Sequence, residues 1–231
     1  MRCKQTGFTL VEIAIVLVII GLLLGGVLKG QELINSAKVK NFANDFRNIP
    51  LLIYGYQDKY RALPGDQTQA PLDIQFPPAN RATACAPGAA GHCVPGNGVI
   101  DGTWDANSIA DESFVFWQHA RLAGLASGAT VPANGSPYRP SNADGGFIGI
   151  ESASAHYILN SDGSTFLQGT YLVCSAGILG KFAKQLDTSM DDGNTQTGSM
   201  RTVATGHARG QQALANGLLD DGNGYTVCMS F

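Results

Sequence analysis

Thr9-Leu10-Val11-Glu12 places a carboxylate at the head of an aliphatic run: from Ile13 to Leu28 no charged residue occurs, and the stretch from Phe8 to Leu28 is 21 residues long. A carboxylate there can do two kinds of chemistry. With Thr9 it has the Thr-x-x-Glu spacing of a capping box, in which a hydroxyl and a carboxylate satisfy the orphan N–H groups at a helix start. In hydrocarbon, however, an ionised carboxylate is expensive and normally marks a site with a partner. None of the next sixteen residues is cationic, and Lys29 lies about 25 Å along a helix, so the chain supplies no local cation. Hydrolysis of the Gly7–Phe8 bond would create one: an α-ammonium on Phe8, within one helical turn of Glu12 or beside the Glu12 of a neighbouring molecule.

Three other sets of residues carry possible chemistry. Asn97, Asp101 and Asp105 in PGNGVIDGTWD, and Asp187, Asp191, Asp192 and Asn194 in LDTSMDDGNTQTG, cluster hard oxygen ligands around glycine, which suits Ca2+. Neither has the full EF-hand spacing, and Asp, Asn and Gly dominate turns without any ion, so the expectation is a turn, with no metal or cofactor required and calcium as the minority reading. Cys85, Cys93, Cys174 and Cys228 permit three pairings. We favour Cys85–Cys93, which closes a short Pro/Gly loop, and Cys174–Cys228, which ties a strand to the C-terminal end and would contribute roughly 4 kcal/mol in the chain-entropy model. Zinc is the rival, but there is no Cys-x2-Cys pair, and only His92 adjoins a cysteine. His92, His119, His156 and His207 come without a nucleophile elbow, a His-Glu-x-x-His motif or a phosphate loop, so no enzyme is expected; a hydrolase on an uncleaved anchor is the remote alternative.

The apolar run spans roughly 31 Å as a helix, enough to cross a bilayer core. The basic residues before it, Arg2 and Lys4, leave the N-terminus in the cytoplasm and send everything after Lys29 across the membrane. A cleaved secretory signal fits poorly, since the run is longer than a signal h-region and flows into a charged helix. Beyond it, Phe42, Phe46, Ile49, Ile53, Tyr56 and Tyr60 follow steps of four and three along one helix face, which reads as core. Residues 8 to about 61 therefore form one long helix, with Pro50 as a kink point. Gly21, Gly25, Gly26 and Gly30 supply two small-xxx-small pairs for close helix approach. Residues 63 to 98 read as an irregular, proline-rich loop region, and DESFVFWQHARLAGL as a helix packing Phe114, Trp117, Leu122 and Leu125 on one side. Strand candidates are Phe147–Ile150, His156–Leu159, Thr170–Cys174 and Tyr225–Met229. The fold class is α+β, the outer half of the helix packed on an antiparallel sheet with long loops. A formal charge of −3 on 231 residues, 14% of them charged, predicts no nucleic-acid partner.

The stretch KQTGFTLVEIAIVLVIIGLLLGG resembles the class III signal of type IV prepilins and of the pseudopilins of type II secretion: a short basic leader, Gly, an aromatic residue, Thr-Leu-Val-Glu and an apolar run. The likeness is dense over residues 1 to about 35. It implies a leader of residues 1–7 removed by a membrane-embedded prepilin peptidase, methylation of the Phe8 amine, a membrane and filament-core helix at 8–28, an amphipathic outer half at 29–61, and a globular periplasmic or extracellular domain at 62–231. Phe8, Thr9 and Glu12 would then serve subunit assembly, Glu12 pairing with the N-terminus of an adjacent subunit. The partners implied are identical or related pilin subunits, the peptidase, inner-membrane assembly machinery and lipid; the location is the inner membrane before assembly and a periplasmic or surface filament after it. The resemblance implies a pilus subunit, with a secretion pseudopilin as the alternative, and the acidic stretch at Asp187–Asn194 looks like the calcium-stabilised loop of some pseudopilins. The chain departs from many type IV pilins in having no proline inside the apolar run.

Overall fold

The computed structural model describes residues 9–77, 81–86, 92–132, 138–153, 158–159, 163 and 165–231. Gly7, Phe8 and His156 lie outside the described residues. Helix α1 runs unbroken over Leu10–Tyr60 with Pro50 inside it. It stops where Arg61 turns left-handed (φ 55°) and its N–H closes on the Gln57 carbonyl at 2.8 Å, a C-terminal cap of the left-handed type.

The chain divides into two compact units, one up to Lys38 and one from Val39 onward. In the first, the described residues from Thr9 to Lys29 are all exposed. In the second, a four-stranded antiparallel sheet in the order β1-β3-β6-β4 combines Ile148–Ser152 (β1), Tyr171–Leu179 (β3), Gly224–Ser230 (β6) and Met200–Ala204 (β4). Successive residues of a strand face opposite sides, and the sheet uses both. On one side Ile148, Ile150, Val173, Ile178 and Val227 join Phe42, Phe46, Ile49 and Ile53 of α1 in the main core. On the other, Leu172, Cys174, Val203 and Cys228 form a smaller core with Trp104, Ile158, Leu167 and Ala213. The aromatic spacing read from the sequence is therefore core packing, with Phe42 0% and Phe46 2% exposed.

Several expectations need correction. The region read as irregular from 63 to 98 contains a two-turn helix, α2 (Gln69–Gln75). Pro71 falls in its first turn, where a missing N–H costs nothing, and Leu72 and Phe76 join Tyr56 in a third core. The helix expected to pack on one side, α3 (Glu112–Leu122), is buried from Glu112 to Arg121 on every face, because it lies between two cores; Leu125 falls past its end. The strand expected at His156–Leu159 is described as Ile158–Leu159 (β2); it pairs in parallel with Gln211–Gln212 (β5), outside the main sheet. Helix α4 (Gly180–Met190) and strand β4 have no counterpart in the sequence reading.

Candidate functional site

At the head of α1, the backbone N–H and hydroxyl of Thr9 both donate to Oε2 of Glu12 at 2.8 Å, and the Glu12 N–H donates to the Thr9 hydroxyl at 3.3 Å. This is a complete capping box. The capping reading and the assembly reading of Glu12 are thereby compatible: the cap holds the carboxylate over the first turn of α1 with neutral donors, so it keeps its net charge. Large apolar side chains along this segment are open, Leu10 at 91% and Leu22 at 74%. At Gly21, Gly25, Gly26 and Gly30 an added Cβ would meet nothing within 4 Å, so all four glycines present bare backbone. Among the described residues α1 is the one helix long and apolar enough to cross a membrane. Its polar boundary is marked by Lys29, paired with Glu32 at 2.7 Å.

The acidic stretches behave differently from one another. Asn97 Nδ2 donates to Asp101 at 2.7 Å, a local turn bond, and among the described residues Asp101 and Asp105 join no group of three acids. Asp187, at the end of α4, and Asp191 and Asp192, just past it, do converge: one oxygen from each lies within 4.8 Å of the others. Asp191 accepts the Met200 N–H at 2.8 Å and the Ser199 hydroxyl; Asp192 accepts the Thr197 hydroxyl at 2.6 Å and the Asn194 N–H at 2.8 Å. Asp187 is 0% exposed and neither of its oxygens has a hydrogen-bond partner. Burial pushes its carboxyl up to about 7, with Asp191 and Asp192 adding to the rise and the nearby N–H groups of Gly193 and Asn194 moderating it. Three convergent carboxylates, one buried and unsatisfied, fit a hard divalent cation such as Ca2+. Asn194 turns its side-chain oxygen to the Gln196 N–H at 3.3 Å.

Both disulfides are formed, Cys85–Cys93 and Cys174–Cys228, the latter joining directly paired positions of β3 and β6. Four cysteines so engaged offer zinc no thiolate. Of the histidines, His92 faces Asp111 at 3.2 Å, and His119 is 0% exposed, its Nδ1 accepting the Gly65 N–H at 2.9 Å and its Nε2 lying 3.0 Å from the Thr83 carbonyl. His119 is a clamp between α3 and two loops. Asp66 and Glu112 are two of the buried carboxylates that escaped the sequence reading. Asp66 accepts the N–H groups of Gly96, Asn97 and Gly98 and so pins that turn; Glu112 accepts those of Val94 at 2.9 Å and Asp101 at 3.0 Å. The only sequence signal for either is an acid flanked by turn glycines or by a helix start.

No curated protein and no solved structure matches the chain. Residues 2–28 match the model of the prokaryotic N-terminal methylation motif, the class III signal carried by type IV prepilins and pseudopilins; the match covers the N-terminal segment of the chain.

Proposed function

We propose that the chain is a structural subunit of a type IV pilus or a pilus-like filament. It is made as a single-pass inner-membrane precursor with a cytoplasmic N-terminus, cut between Gly7 and Phe8, methylated on Phe8 and polymerised through α1. The observation that carries this reading is the N-terminal methylation motif laid over a helix whose apolar side chains this chain leaves uncovered. Cleavage removes Arg2 and Lys4 and gives Phe8 the ammonium that the Glu12 carboxylate calls for; pairing it with the Glu12 of a neighbour couples processing to assembly, since an uncut chain has no such cation. The glycines at 21, 25, 26 and 30 let neighbouring helices approach. The chain's role is assembly, without turnover of a substrate.

The test is mass spectrometry of the membrane form and of shed filaments, which should find a chain that begins at methylated Phe8. Gly7→Ser should block processing, and Glu12→Ala should permit processing while reducing incorporation. An intact leader in the native molecule, or normal filaments from the Glu12 variant, would overturn the reading. The convergent acids at Asp187, Asp191 and Asp192 favour a second reading, a pseudopilin of a type II secretion system with a structural calcium ion. Imaging with an antibody against residues 62–231 separates the two: long shed filaments mark a pilus, and label confined to the cell envelope marks a pseudopilus.

A further inference from the structure

The two disulfides sit in opposite surroundings. Cys174 and Cys228 are both 0% exposed, enclosed by Trp104, Ile158, Leu172 and Val203. In the other pair Cys85 is 5% exposed but Cys93 is only half-buried, so the Cys93 side of the bridge is the more accessible to an attacking thiolate and the Cys85 side is shielded. Against the shielded sulfur stands Glu112, 0% exposed, its Oε1 3.6 Å from Cys85 Sγ. A sulfur in a disulfide carries no proton, so that contact is a hydrogen bond only when the carboxyl does the donating.

The surroundings of Glu112 permit this. Burial, with the charges of Asp66 and Asp101 adding to it, pushes the carboxyl up to about 7 against the pull of the Val94 and Asp101 N–H groups. Asp111, the residue before it, is engaged with His92 at 3.2 Å. Among the described residues the side-chain contacts of Glu112 with Cys85, Val94 and Asp101 include no cation.

We propose that Cys85–Cys93 is a thiol-exchange site at which Glu112 protonates the departing Cys85 sulfur when a dithiol reductant attacks Cys93. The reductant's thiolate forms a bond to Cys93 Sγ as the Cys85–Cys93 bond breaks; Cys85 leaves with the electron pair and takes the Glu112 proton, which solvent restores. The second thiol of the reductant then displaces Cys93, which is protonated by water, and the reductant departs as a cyclic disulfide. Two electrons pass from the dithiol to the cystine. An acid close to the leaving sulfur accelerates the first step because a thiol is a better leaving species than a buried thiolate. Cys174–Cys228 has no open sulfur, both cysteines being 0% exposed, and it is inert under the same conditions.

The test uses the full chain in detergent, exposed to dithiothreitol for timed intervals, acid-quenched, alkylated and mapped by peptide mass spectrometry. Cys85–Cys93 should open at least about tenfold faster than Cys174–Cys228, and Glu112→Gln should slow it by about tenfold or more. The rate of Cys174–Cys228 in the variant reports whether its fold is kept. If that rate rises, the wild-type chain decides: its Cys85–Cys93 rate, divided by that of a small linear disulfide to cancel the reductant's own titration, should fall from about pH 6 to about pH 8.5 as Glu112 loses its proton. Simultaneous opening of both pairs, an undiminished rate in a folded Glu112→Gln chain, or a pH-independent ratio would each overturn the proposal.

Discussion

Acidification tests a buried titratable group that is held at both ring nitrogens. His119 uses both ring nitrogens in its neutral form, Nδ1 accepting from Gly65 and Nε2–H donating to Thr83, while its ring stacks on Tyr56 at 6.2 Å. Adding a proton sets two N–H groups against each other at Gly65. Burial accordingly depresses its pKa from 6.5 to about 4. The unfolded chain then takes up the proton first as pH falls: the contribution of His119 is whole above about pH 6.5 and drains as pH drops towards 4, a loss of about 3 kcal/mol. Glu112 runs the other way. Its pKa is raised from 4.5 to about 7, so the folded state holds the proton more tightly, and stability is recovered as pH falls through 7. The opposed terms flatten the wild-type profile, and the measurement is therefore a difference. Urea unfolding followed by the fluorescence of Trp104 and Trp117, the chain's two tryptophans, is compared between wild type and His119→Gln from about pH 7 to about pH 4. The stability difference in favour of wild type should shrink by about 3 kcal/mol across that range. A difference that does not change with pH would refute the clamp.

Three further outcomes follow from packing and charge. Calcium should raise the melting temperature of the full chain, by the equivalent of about 2.7 kcal/mol at a hundredfold excess over Kd; Asp187→Asn should abolish that response while stabilising the calcium-free protein, and an unchanged response would remove the site. At Gly149 an added Cβ would lie 1.6 Å from the Trp104 carbonyl oxygen, so Gly149→Ala should destabilise by more than about 2 kcal/mol, read as a drop in the urea midpoint. Arg209 forms a bidentate pair with Glu151, which is 1% exposed, so Arg209→Ala should destabilise strongly by leaving a buried charge, and adding Glu151→Leu should restore much of the loss.

What was legible in the sequence was local. The long helix could be read because Phe42, Phe46, Ile49 and Ile53 repeat at helical steps, and the same residues are buried. Strand positions around Val173 and Val227 were readable from β-branched runs. Strand β4 was not, because its Arg201 looks like a surface residue; the guanidinium is 5% exposed and reaches the carbonyls of Ile158 and Thr165, partners set by the fold alone. Helix α4 did carry a signal, Phe182, Ala183, Leu186 and Met190 on one face, but it opens at Gly180 and closes in an acidic turn, and the sequence reading assigned no helix there. The clamp at His119 and the acids Asp66 and Glu112 escaped for a physical reason: their partners lie at Gly65, Gly96 and Val94, distances along the chain that no local periodicity encodes.

The contrast within α1 explains why one carboxylate can matter so much. From Val39 onward the helix is apolar on a single face and its own chain covers that face, as expected of a helix in water. From Leu10 to Leu28 it is apolar all round, and every one of these residues is exposed, the pattern of a helix whose surroundings must come from lipid or from other copies. In such surroundings hydrophobic contact has little directional content, since lipid tails and neighbouring helices are alike to a leucine. Register between copies then has to be set by the few polar groups present. Glu12, fixed in place by its bonds with Thr9, is the only charged side chain in that segment, and it lies within one turn of the end that cleavage at Gly7 would expose. In the proposed filament an attractive contact with a neighbour's new N-terminus would be available at one axial offset and lost at others, so the pair that neutralises the acid would also set the filament's rise.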